Sequence, residues 1–170
     1  MGLIAKTFIL LGIGYFLFIT FAEDVLRYAA NEQRTTERQS QDKTGNLVHS
    51  IEIPRQRDGH YWVNLDVSSN PIAFIVDTGA SVVTLSHQDA QKLNLYLSDF
   101  DYNITVRTAA GLTTMAEINL DRVTLGVIEL YNVKALVARE GMLSVSLLGM
   151  NFLNRLERFE FQDGQLVMEQ

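Results

Sequence analysis

The chain has 170 residues, 47% of them hydrophobic and only two prolines, which is room for one domain with a real core and little excess for a second. A net charge of −6, a sequence pI near 5.0 and the lack of any long basic run argue against nucleic acid as a partner. With no cysteine there is no disulfide framework or thiolate metal site, and His49, His60 and His87 are too scattered to suggest a metal centre; no motif asks for a cofactor.

From Thr7 to Ala22 no residue is charged. Adding Leu3, Ile4 and Ala5, with Lys6 snorkelling towards the headgroups, gives about the twenty residues needed to cross a bilayer. Residues 1–22 are therefore expected to form a transmembrane anchor, with the span over 3–22. A cleaved signal peptide is the rival, with Thr20 and Ala22 before the cut, but the run exceeds the usual h-region of about seven to fifteen residues. Lys6 before the span, with Glu23 and Asp24 after it, predicts a cytoplasmic N-terminus and a main domain outside. In a Gram-negative host, outside means the periplasm. Residues 23–46 are polar, Asn31 to Arg38 without interruption, with little apolar periodicity after Leu26, and are expected to be a stalk or linker.

The folded domain is expected over 47–170. Leu47 to Ile53 alternates and stops at Pro54, which predicts an outer strand. His60 to Val67 alternates strictly, with Tyr61, Val63, Leu65 and Val67 on one face of a half-buried strand. Ser68, Ser69, Asn70 and Pro71 supply a turn, and Ile72 to Val76 returns as a strand that delivers Asp77. An acid closing an apolar run needs a local reason to be there, because a buried polar group without a partner is costly. Thr78 offers a hydroxyl and Gly79 a tight turn without a Cβ.

Val82 to Leu85 is a short apolar run, and Ser86 with Asp89 three residues on predicts an N-capped helix through about Leu93. Tyr102 to Arg107 and Leu112 to Leu120 read as two strands joined by the small-residue turn Thr108, Ala109, Ala110 and Gly111. Such a hairpin could serve as a flap over a cleft, since small side chains let backbone approach an extended ligand. An ordinary exposed hairpin fits the same residues equally well. Arg122 to Leu125, Glu129 to Val133 and Lys134 to Ala138 continue as strands, with Gly126 between the first two and a loop at Arg139 to Gly141. Leu147 to Leu156 reads as a buried segment, and Leu156 to Met168 as a hairpin turning at Asp163-Gly164.

Asp77 to Ser81 spells DTGAS, and Leu147-Leu148-Gly149-Met150-Asn151-Phe152 is two aliphatics, Gly, one residue, Asn, then an apolar residue. In this order, with a hairpin ending in Ala-Gly between them, the motifs resemble those of retropepsin-like aspartic proteases, most closely the bacterial membrane-anchored kind, over roughly 48–168. The resemblance implies an all-β, single-lobed acid protease fold with a flap hairpin and one or two short helices, preceded here by the transmembrane helix. It makes Asp77 the catalytic acid, Thr78, Gly79, Ala80 and Ser81 its loop, and Thr108, Ala109, Ala110 and Gly111 the flap tip. Leu147, Leu148, Gly149 and Asn151 become the loop's support. It also implies that Thr78 hydrogen-bonds across a two-fold axis.

Aspartic proteases use two carboxylates that share a proton. This chain has one Asp-Thr-Gly and no second copy, so the resemblance implies a homodimer with an Asp77 from each chain on the axis. Confinement to a membrane would favour such pairing by raising the effective concentration. The function implied is a membrane-tethered aspartic endopeptidase acting on a peptide or protein bound as an added strand. The alternative is a catalytically silent dimer of the same fold that binds peptides or organises an assembly. Ala80 stands where many acid-acting relatives have a serine hydroxyl, which predicts activity at mildly acidic to near-neutral pH. Apolar walls to the cleft are expected from Ile75, Val83, Leu112 and Leu147.

Overall fold

Period-two alternation builds nearly all of this fold. The computed structural model describes residues 36–41, 47–108 and 111–170, within one folded unit running from Thr35 to Gln170. The expected anchor over 1–22 lies outside the described residues, as does most of the stalk. Among the described residues no helix is long and apolar enough to cross a membrane.

The strands are β1 (Thr36–Gln41), β2 (Leu47–Pro54), β3 (Trp62–Val67), β4 (Asn70–Val76), β5 (Val83–Leu85) and β6 (Ile104–Thr108). They continue with β7 (Gly111–Leu125), β8 (Ile128–Val137), β9 (Ser146–Leu148), β10 (Arg158–Gln162) and β11 (Gln165–Glu169). Two short helices, α1 (His87–Lys92) and α2 (Met150–Leu153), and a 3-10 turn at Asp99–Asp101 complete the described elements.

One sheet runs β3-β4-β9-β5-β8-β7-β6, and a further pairing of β3 with β7 closes all of it except β6 into a barrel. Closure removes the exposed edges that would otherwise invite pairing with other chains. As the alternation predicts, Val63, Leu65 and Val67 of β3 are buried, facing Phe74 of β4 and Leu148 of β9 in the same core. Each such side chain, fully withdrawn from water, contributes about 1.5–3 kcal/mol relative to exposure. The second sheet, β1-β2-β11-β10, adds Ile51, Ile53, Leu166 and Met168 to that core.

The terminal hairpin turns at Asp163 (φ 50°) and Gly164 (φ 75°), the paired positive angles that an Asp-Gly dipeptide tolerates. Three local expectations change. The polar stretch 23–46 is not all linker, because Thr36–Gln41 is a strand antiparallel to β2. Pro54 does not mark an outer strand, since β2 lies between β1 and β11; the proline falls on its last residue. The segments 129–133 and 134–138 form one strand, β8, which carries Asn132 at φ 52° in its middle.

A second, smaller apolar cluster stands apart from the core. Met115, Leu136 and Ala138 are its buried members, with Val82, Ile104, Val106 and Leu143 partly buried against them. It joins the β6–β7 hairpin to the end of β8 and to the segment just after Ser81.

Candidate active site

Strand β4 carries Asp77 just beyond its end. The parallel pairing of Val76 with Leu148 on β9 is extended by the Asp77 amide, which donates to the Leu148 carbonyl at 3.1 Å. The chain then turns tightly, with Ala80 N donating to the Asp77 carbonyl at 3.2 Å. Gly79 N donates to Asp77 Oδ1 at 2.8 Å, which fixes the carboxylate against its own loop. A Cβ at Gly79 would lie 3.1 Å from Oδ1, so the carboxylate would have to shift by a few tenths of an ångström to admit one. Among the described residues nothing donates to Oδ2. Asp77 is partly buried, while Thr78, Gly79 and Ser81 are exposed at the tip of the loop.

The stretch 147–151 lies under this loop. Met150 N donates to the Ala80 carbonyl at 2.8 Å and Asn151 N to the Ser81 carbonyl at 3.1 Å. Asn151 Oδ1 accepts from Val83 N at 2.8 Å, and its Nδ2 donates to the Lys134 carbonyl at 2.7 Å, so one side chain ties the exit of the loop to β8. Gly149 fits because nothing larger can: an added Cβ would sit 2.5 Å from the Val82 carbonyl carbon and oxygen and 2.9 Å from the Ala80 oxygen. Leu148 is fully buried and Leu147 half-buried, the latter opposite Ile75 and Thr84.

A buried polar cluster beneath these strands extends the predicted Ser86–Asp89 cap to a residue the sequence did not mark, Ser146. Ser86 caps α1 as expected, accepting from Asp89 N at 3.1 Å. The Asp89 carboxylate also accepts from Ser86 Oγ at 2.9 Å and from Ser146 Oγ on β9 at 2.6 Å, and Lys92 Nζ reaches its other oxygen at 2.7 Å. Ser146 Oγ in turn accepts from Ser86 N at 3.0 Å. Every polar atom of Ser86 and Ser146 in this cluster is thereby satisfied, as burial demands. The capping signal made Asp89 legible, whereas nothing local marks Ser146, 57 residues away.

In the hairpin, Thr108 and Gly111 pair across the turn, and Thr108 Oγ1 donates to the Gly111 carbonyl at 3.0 Å. Gly111 has φ 116°, a region that disfavours any side chain. Ala109 and Ala110, the middle of the expected flap tip, lie outside the described residues. Of the four expected apolar walls, Val83 belongs to the core and Leu112 is 69% exposed, whereas Ile75 and Leu147 are half-buried. The apolar surface that adjoins the loop includes Val82, Leu143 and the hairpin residues of the smaller cluster, which the sequence did not single out. Beside that hairpin, burial pushes the Tyr102 phenol above its ordinary range, against the opposing pull of Arg139.

Comparison with known proteins agrees with this geometry. Residues 63–155 match the family described as "gag-polyprotein putative aspartyl protease". An uncharacterised protein of Rickettsia prowazekii (strain Madrid E) is 40% identical over 121 residues, covering 71% of this chain and 52% of that protein. An uncharacterised protein of Sinorhizobium sp is 34% identical over 116 residues, covering 68% of this chain and 50% of that one. The chain thus spans about half the length of the curated relatives it matches. A crystal structure of a retropepsin-like aspartic protease from Rickettsia conorii matches with a TM-score of 0.65 and 38% identity, over 72% of this chain and 91% of that one.

Proposed function

This chain belongs to the retropepsin-like aspartic protease family, and on that premise we propose that it is a homodimeric aspartic endopeptidase whose catalytic acid is Asp77. Two Asp77 carboxyls, one from each protomer, share a single proton across the two-fold axis. The ionised one removes a proton from water as its oxygen attacks the peptide carbonyl, and the protonated one donates to the carbonyl oxygen, giving a tetrahedral diol. Return of a proton to the amide nitrogen breaks the C–N bond and releases amine and carboxylic acid. Thr78 links the two loops across the axis, and the β6–β7 hairpin, tipped by Thr108 to Gly111, covers an extended peptide.

The observation that carries this reading is the Asp77 carboxylate, held by the Gly79 amide at 2.8 Å at the end of a barrel strand, on a loop whose tip is exposed. A scaffold that only bound peptides would have no need of an acid there. Supporting the dimer is the arithmetic of one such acid per chain. The uncharged run from Thr7 to Ala22, preceded by Lys6, supports a membrane tether through residues 3–22 that places the catalytic domain on the outer, periplasmic side.

The test is cleavage of a peptide library by the full chain in detergent, with and without a pepstatin-type inhibitor, beside Asp77→Asn. The asparagine keeps the shape and removes the acid, so cleavage is expected to fall by at least about a thousandfold while the folded dimer persists. Cleavage undiminished in Asp77→Asn, or full activity in a species that sediments strictly as a monomer, would falsify the proposal. A folded dimer that binds peptides without cutting them would establish the silent alternative.

A further inference from the structure

The two faces of the lower β7 arm are held by one short segment, residues 136–143, in two different ways. Alternation along the strand puts Thr113 and Met115 on one face and Thr114 on the other. On the first face Met115 packs with Leu136, Ala138 and Leu143, and Thr113 Oγ1 donates to the Met142 sulfur at 3.1 Å. On the opposite face stands Arg139. Its Nε donates to Thr114 Oγ1 at 3.1 Å, one terminal nitrogen reaches Asp99 Oδ1 at 3.0 Å, and the guanidinium lies 4.5 Å from the centroid of the Tyr102 ring. One planar group therefore joins the hairpin arm, the turn at Asp99–Asp101 and the residue that leads into β6.

The ion pair with Asp99 is the weakest of the three contacts, because that carboxylate is 93% exposed and screened by water. The fork matters more. Arg139 presents donors in a fixed plane, so meeting Thr114 and Asp99 together over an aromatic face constrains the arm's direction as well as its distance. Of the three partners only the Tyr102 ring belongs to the main core, so Arg139 ties the arm to the barrel's interior at one point.

We propose that Arg139 is a positioning residue that fixes the angle at which the β6–β7 hairpin leaves the barrel, and with it the grip on an extended peptide lying over Asp77. The second half of this statement rests on the peptidase reading above; the first does not. Amide exchange and steady-state kinetics on the full chain separate them. In Arg139→Ala, exchange of amides in 104–108 and 111–115 is expected to quicken about tenfold while that in 116–125 stays unchanged. KM for a peptide long enough to pass under the hairpin should rise about tenfold, with kcat changed less than twofold. Arg139→Lys keeps the cation over Tyr102 without the fork and should recover only part of both effects. Thr114→Val should reproduce part of the loss, and the double variant should exceed Arg139→Ala only slightly.

Unchanged exchange in the hairpin of Arg139→Ala would overturn the assignment, as would a uniform quickening through the barrel, which would mark a merely structural role. An altered kcat at constant KM would refute the link to substrate grip. If the unaltered protein cuts no peptide, the peptidase reading fails, and the exchange result alone decides whether Arg139 sets the hairpin.

Discussion

The loop at Asp77 and the β6–β7 hairpin are built on opposite principles. The loop is fastened by main chain: the Asp77, Ala80, Met150 and Asn151 amides all donate to carbonyls of the loop or of β9, and Gly149 presses backbone against backbone. The lower part of the hairpin is fastened by side chains, through Arg139 on one face and a small apolar cluster outside the core on the other. Main-chain bonds that continue a barrel's strand pairing open with the fold, whereas side-chain contacts outside the main core can yield locally. On the peptidase reading proposed above, the difference is what such a hydrolase would require, with a firmly held acid beside a cover that can admit and release a chain.

The severest test of that contrast is Gly149→Ala. The added methyl would meet backbone atoms at 2.5 Å, which no rotamer can relieve, so a loss of at least about 3 kcal/mol is expected in denaturant unfolding, with insoluble protein as the extreme case. A variant of wild-type stability would show that loop and support are not locked together. Next comes Asn151→Ala. It strands the buried Val83 amide and removes the tie to Lys134, at a cost of about 1–3 kcal/mol in the same measurement, and it should lower peptide cleavage through the displaced loop.

Gly111→Ala applies the same substitution to the other region. Among the described residues, chain neighbours aside, no atom lies within 4 Å of the new methyl, and the φ of 116° opposes it, so a local cost of about 1–3 kcal/mol is expected. It should appear as faster amide exchange in β6 and the facing part of β7, with little movement of the global midpoint. A midpoint shift as large as that of Gly149→Ala would erase the distinction between the two regions.

The smallest effect belongs to neither region and serves as a control. Arg158 bonds Glu169 through Nε at 2.8 Å and a terminal nitrogen at 2.6 Å. This hydrogen bonding holds the Glu169 carboxyl below the ordinary glutamate range. A carboxyl depressed in the folded state adds stability above its unfolded value, and that contribution is lost as pH falls through the folded one. In Arg158→Gln the acid limb of the stability curve should therefore be slightly flatter below about pH 4.5, with the two proteins converging at lower pH. Unfolding midpoints measured from about pH 3 to 7 would show it, and peptide cleavage near neutrality should not change.

Much of the site was legible in the chain because its signals are short. Asp77 with Gly79 is a turn problem solved within three residues, Ser86 with Asp89 is one helical turn, and Asp163-Gly164 is a two-residue hairpin. Gly149 was marked only by the family resemblance, as part of the loop's support, and the backbone it approaches was not legible. The rest depends on partners far apart in sequence. Asn151 serves Val83 from 68 residues away, and Ser146 serves Asp89 from 57. Arg139 looked like part of a loop until the turn at Asp99 and the arm at Thr114 were brought beside it. β1 is polar enough to pass for linker, because it gains its pairing from β2 rather than from a buried face of its own.

The sequence by itself determined the periodicity of β3 and β4, the acid that ends the second of them, and the turns and cap that start and stop the neighbouring elements. These depend on backbone sterics and side-chain chemistry acting within a few residues. Only the tertiary structure decided that β3 closes on β7, that β9 is threaded between β4 and β5 beneath the acid, and that a second apolar cluster sets the hairpin apart from the core. Those choices follow from which distant surfaces bury one another best, and no local window of the chain contains both partners.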